Sequence, residues 1–204
     1  VINGGVDYIV ALGSTAETAT MSLEERDKVL RFIVKHTAGR VAIVAGMGSN
    51  DTHALVEQLR TFDLSDTVAI LSVVPYYNKP SQEGVYRHFM AVAEASPVPV
   101  IIYNVPGRTG LNMTAQTTLR LARATDKIVA IKEACGNIEQ MQQILDGRPD
   151  NFLVLSGDDG LTVELIKRGG NGVISVAANV FPEKFCRCVH NAMEGHVENA
   201  ESEM

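Results

Sequence analysis

The chain has 204 residues, enough for one sizeable domain rather than two. Hydrophobic residues make up 46% and charged residues 21%, a globular composition that sets global disorder aside. Lys and Arg number 18 against 24 Asp and Glu, and the net charge of −6 argues against a non-specific nucleic-acid binder.

Seven short apolar runs recur along the chain, at residues 8–12, 41–45, 68–74, 98–103, 128–131, 152–155 and 172–176. They are rich in Val and Ile and nearly continuous, as parallel strands buried on both faces are. Helix signals fill the intervals. Ser22 stands three residues before Glu25, the spacing of a capping box, and Asn137 and Gln140 repeat it. Asn50 or Ser49 is placed to start a helix through Leu55 and Leu59. Ser81, Thr114 and Asp159 are placed to cap three more, and Pro182 to open a last one that Gly195 ends. Strict βα alternation implies a parallel sheet flanked by helices, closed into a barrel or open. Seven strands fall one short of a (β/α)8 TIM barrel, which typically takes about 250 residues. The opening residues Val1 to Gly5 read as the end of a helix, so the chain is expected to enter such a barrel after its first strand. An open doubly wound sheet is the alternative, with Gly46-Met47-Gly48 as a weak phosphate turn.

Three cysteines, Cys135, Cys186 and Cys188, form no paired framework, which fits a reducing compartment and makes the cytoplasm the expected location. No apolar run reaches the length of a membrane span, and Val1 to Gly5 lack the basic region of a signal peptide. The five histidines are scattered, so no metal site is expected.

The carboxyl ends of the runs carry an unusual polar load, and ligands bind at that edge in barrels and open sheets alike. Lys132 follows an apolar run; a desolvated lysine loses its charge easily and can attack a carbonyl to form an imine. An ion pair with Glu133 or Asp158 is the plainer alternative. Tyr103 ends the preceding run, as a proton shuttle or a filling aromatic. Arg108, in the loop after Tyr103, suits a carboxylate or is a solvated charge. Ser14 and Thr15 offer hydroxyls for an anion or merely shape a turn. Tyr76 and Tyr77, between Pro75 and Pro80, serve either chemistry or a subunit contact.

Taken in order, Gly13-Ser14-Thr15-Ala16-Glu17, Pro75-Tyr76-Tyr77-Asn78, Tyr103-Asn104-Val105-Pro106, Ile131-Lys132-Glu133 and Ser156-Gly157-Asp158-Asp159 resemble the dihydrodipicolinate synthase and N-acetylneuraminate lyase superfamily of Schiff-base aldolases. The resemblance covers nearly the whole chain. It implies one TIM-barrel domain over 1–204, lacking the first strand and most of a C-terminal helical region that begins at 182. Arg108 points to the synthase branch, which condenses pyruvate with L-aspartate 4-semialdehyde on the way to diaminopimelate and lysine. The resemblance then implies that Lys132 forms the imine, Tyr103, Ser14 and Tyr77 relay protons, and Thr15 and the Ile174 backbone hold the pyruvate carboxylate. Arg108 would hold the carboxylate of the semialdehyde. No cofactor beyond the imine is implied, and the chain is expected to form a homodimer or homotetramer in which Tyr77 reaches a neighbour's site. Ala16 replaces a usual glycine. Leu23, Arg26 and Ala54 replace residues common in lysine-sensitive members, so weak lysine inhibition is expected. The competing readings are another pyruvate aldolase of the superfamily, acting on a 2-keto-3-deoxy sugar acid or N-acetylneuraminate, a non-catalytic carboxylate-binding homologue, and a structural assembly module.

Overall fold

A computed structural model describes residues 1–203. Its elements run β1 (Tyr8–Ala11), α1 (Leu23–Thr37), β2 (Ala42–Gly46), α2 (Thr52–Thr61), β3 (Ala69–Val73), α3 (Gln82–Ala95), β4 (Val100–Asn104), the single turn α4 (Pro106–Thr109), α5 (Ala115–Ala124), β5 (Ile128–Glu133), α6 (Ile138–Gly147), β6 (Leu153–Ser156), α7 (Thr162–Lys167), α8 (Pro182–Met193) and α9 (Val197–Glu203). The six strands pair in parallel and in sequence order, and the sheet curls into an open half-barrel. Curling brings its two edges close enough for the Tyr8 hydroxyl of β1 to donate to Val173 O, beyond β6, at 3.4 Å.

Two apolar layers hold the sheet. Outward side chains such as Ile43, Ile70, Ile102, Ile131 and Val154 pack under the helices against Leu30, Phe89, Leu121 and Met141. Inward side chains (Val44, Leu71, Ile101, Ala130 and Leu155) fill the concave face with Tyr8 and Val10. Continuous apolar runs are the consequence of burial on both faces.

One irregularity fixes the phase of β5. Val100 pairs with Ile128 but Ile101 pairs with Ala130, so Val129 is an extra, bulged residue. Ile128 lies in the outer layer, whereas Ala130 lies in the inner one. Simple alternation from Ile128 would point position 132 outward; the bulge points it inward.

The seventh expected strand is reduced. Asn171 N–H donates to Val154 O, Ser156 N–H to Gly172 O and Ile174 N–H to Ser156 O, yet only Ser156 and Val173 form a bridge. Gly172 sits at φ 127°, and the chain turns away at Val176 (φ −98°, ψ −40°), so extended pairing stops on both sides. Three caps fall as expected: Ser22 forms its full capping box, and Ser81 and Thr114 cap α3 and α5. Others differ. Asp51, not Asn50 or Ser49, caps α2. Asp158, not Asp159, caps the turn into α7. Asn137 caps α6, but Gln140 turns inward instead of completing the box. Among the described residues no helix is long and apolar enough to cross a membrane.

Candidate active site

The curl of the sheet leaves a cavity of about 920 Å³ along the gap between β1 and the 172–176 segment, running from Val6 and Asp7 to the carboxyl ends of the strands. Tyr8, Ser14, Thr15, Tyr103, Arg108, Lys132 and Ile174 all line it. Six of the seven residues singled out from the sequence therefore converge, and Tyr77 does not.

Lys132 and Tyr103 are register partners on β5 and β4, both facing inward. Lys132 Nζ lies over the Tyr103 ring, 4.3 Å from its centroid. Both side chains are buried, Lys132 to 8% exposure and Tyr103 to 7%. Burial pushes the lysine down to about 8, with the Asp159 carboxylate opposing and the Arg108 charge assisting. Burial likewise pushes the Tyr103 phenol up, and Arg108 partly offsets this. No carboxylate pairs with Lys132 among the described residues, so the ion-pair alternative fails. Glu133 points to the other face, and Asp158 is occupied as a cap.

Ser14 and Thr15 open a 3-10 turn over Ser14–Ala16, directly after Leu12 at φ 60°. Gly46 makes room for this turn: a Cβ there would sit 2.0 Å from Leu12 O. Ala16 keeps a negative φ, and the left-handed position falls on Glu17 (φ 56°), so the missing glycine imposes no backbone strain. Ile174 N–H is engaged by Ser156 O. Arg108 projects from α4, exposed at the cavity rim. Tyr77 is 87% exposed at φ 71°, its backbone N–H bonded to Thr109 O at 3.1 Å. The Asn78 amide donates to Asn50 O beside it.

Two further residues shape the site in roles that the sequence does not assign them. Asp159 Oδ2 accepts from the N–H groups of Val176 and Ala177, tying the 172–176 segment to the site. Gly157 leaves no room for a side chain: its Cβ would lie 2.6 Å from Ala134 Cβ and 3.1 Å from Lys132 Cε. The run Ser156 to Asp159 was the available signal, but which acid caps and which tethers depends on tertiary placement.

The sequence profile of the Dihydrodipicolinate synthetase family matches residues 1–204. A 4-hydroxy-tetrahydrodipicolinate synthase of Phocaeicola vulgatus is 53% identical over 199 residues, covering 98% of this chain and 67% of the relative. The solved dihydrodipicolinate synthase of Aquifex aeolicus superposes with a TM-score of 0.95 at 40% identity, covering 99% of this chain and 69% of that one. A chloride-inhibited dihydrodipicolinate synthase from Acinetobacter baumannii, solved with pyruvate, gives 0.94 at 39% identity, covering 99% and 69%. A profile match from the first residue to the last, on a backbone that solved members share, leaves one conclusion: the chain belongs to the dihydrodipicolinate synthetase family.

Proposed function

We propose that the cavity condenses pyruvate with L-aspartate 4-semialdehyde through an imine on Lys132. The observation that carries this is a buried lysine in no ion pair among the described residues, lying against Tyr103, in a chain 53% identical to a synthase. The neutral amine adds to the pyruvate ketone and water leaves, forming the imine. Loss of a proton from the adjacent methyl gives an enamine, whose carbon attacks the aldehyde; the protonated imine is the electron sink. Tyr103 is the shuttle in this reading, with Ser14 beside the cavity as the next relay. Thr15 supplies a hydroxyl for the pyruvate carboxylate, and Ile174 lines its seat. Arg108, without a carboxylate partner among the described residues, takes the carboxylate of the semialdehyde.

The exposed, left-handed Tyr77 supports completion of the relay in a neighbouring subunit, and so a dimer or a dimer of dimers. Three free thiols accord with a cytoplasmic setting. Leu23, Arg26 and Ala54 give an incoming lysine no carboxylate, which favours weak lysine inhibition.

Borohydride reduction with pyruvate, followed by peptide mapping, tests the core of this reading. The expected result is a reduced pyruvyl adduct on Lys132. Only the unprotonated amine reacts, so trapping rises with pH through a midpoint near 8 and levels off above it. An adduct elsewhere, or none, sinks the reading.

A further inference from the structure

Behind Lys132 and Tyr103, on the outer face of the sheet, their next residues meet. Glu133 and Asn104 are register partners, and both are fully buried. Asn104 Nδ2 donates to Glu133 Oε1 at 2.9 Å and Oε2 at 3.1 Å. Cys135 N–H donates to Oε1 at 2.9 Å, and Gln140 Nε2 to Oε2 at 3.1 Å. The groups facing this carboxylate are N–H donors and the Cys135 thiol, which burial and the carboxylate's charge hold protonated, and no cation faces it among the described residues. Burying an unpaired carboxylate is expensive, and only an acceptor-only group satisfies such a set.

The bulge explains what this arrangement does. Were Val129 paired in the ladder instead of bulged out of it, β5 would pair Tyr103 with Ile131 and Asn104 with Lys132. That slip preserves a plausible ladder but turns Lys132 out of the cavity and carries Glu133 into it. The apolar run 128–131 favours neither register, since both faces are buried. The Glu133–Asn104 bond exists only in the bulged register.

We infer that the Glu133 carboxylate, gripped by Asn104, Cys135 and Gln140, is a register lock that selects the bulged pairing of β5 and so aims Lys132 at the substrate. Glu133 is thus a positioning residue, and the inference rests on Lys132 being the imine former.

The test is borohydride trapping of pyruvate on Lys132 across pH, in wild type, Glu133→Gln, a Val129 deletion and the combination. Glu133→Gln sets a donor against donors and frees the slipped register. Trapping in the folded variant should slow by about tenfold or more, within the range expected for a misplaced reacting group. Its pH midpoint should stay near that of wild type, because Arg108 and Asp159 still surround each lysine that points inward. Deleting Val129 makes regular alternation point Lys132 inward, so the penalty of Glu133→Gln should shrink markedly in that background. Should Glu133→Gln not fold, Gln140→Ala, which removes one donor from Oε2, replaces it in the same comparison.

Wild-type trapping in the folded variant overturns the lock. So does a penalty that is the same with and without Val129, or a shifted midpoint, which would mean a reshaped site rather than a second register. Absence of any adduct in wild type overturns the imine reading and this inference together.

Discussion

At residue scale, Lys132 lies against the Tyr103 ring with Gly157 close to its stem. In the sequence Lys132 follows an apolar run, Tyr103 ends one and Arg108 lies in the loop beyond it, and each has a plain reading beside the chemical one until the order of motifs is added. Which face Lys132 takes was hidden, because 128–131 is apolar throughout and the bulge at Val129 leaves no mark in residue type. Gly157 was hidden for a related reason: its φ is unremarkable, and the need for glycine comes from the close approach of Ala134 and the Lys132 stem. Adding one methyl there tests how tightly the amine is held. Gly157→Ala should destabilise the fold by about 1–3 kcal/mol, as overpacking does. It should also slow pyruvate trapping by on the order of tenfold, because the methyl meets Lys132 Cε. Thermal unfolding beside borohydride trapping separates the two effects; a variant that loses stability while trapping at the wild-type rate would show that the lysine stem tolerates displacement.

At the scale of elements, helix starts were read well where a hydroxyl or amide has a single local use, as at Ser22, Ser81 and Thr114. Two side chains expected at helix starts take distant partners instead. Gln140 leaves the capping box for Glu133, and Asp159 leaves the α7 turn for Val176 and Ala177. The junction between α2 and α3 offers a further test. His88 is 3% exposed, its Nδ1 paired with Thr52 Oγ1 at 2.8 Å and its Nε2 without a partner. Burial pushes it down to about 4. The unfolded chain therefore binds a proton near pH 6.5 that the folded chain refuses until about 4. Its contribution to stability is full above pH 6.5 and is lost as the pH falls toward 4, by up to about 3 kcal/mol. Urea midpoints should fall over that window in wild type and fall less in His88→Gln; parallel falls would assign the acid sensitivity to other groups.

For the whole molecule, strand and helix alternation made the barrel class readable, and the order of motifs made the family readable. The six strands span an open half-barrel, and the chain corresponds to 67% of the P. vulgatus relative. Tyr77 is the residue that raises the question of a site completed across a subunit boundary. It lies outside the cavity that gathers the other six residues, it is 87% exposed, and its backbone holds the left-handed conformation, which costs an aromatic residue energy. A strained, solvent-facing tyrosine makes physical sense if a second copy of the chain receives it. Mixing two defective proteins tests this directly. Tyr77→Phe and Lys132→Ala should each abolish or strongly reduce condensation alone. In randomly mixed symmetric dimers, half pair one of each, and each such pair rebuilds one site of two from an intact lysine and the partner's intact tyrosine. Activity should therefore return to about a quarter of wild type after the chains are mixed and exchanged. Mixtures as inactive as their components would place Tyr77 outside the relay or confine its action to its own chain, and the exposed loop would then need a different account.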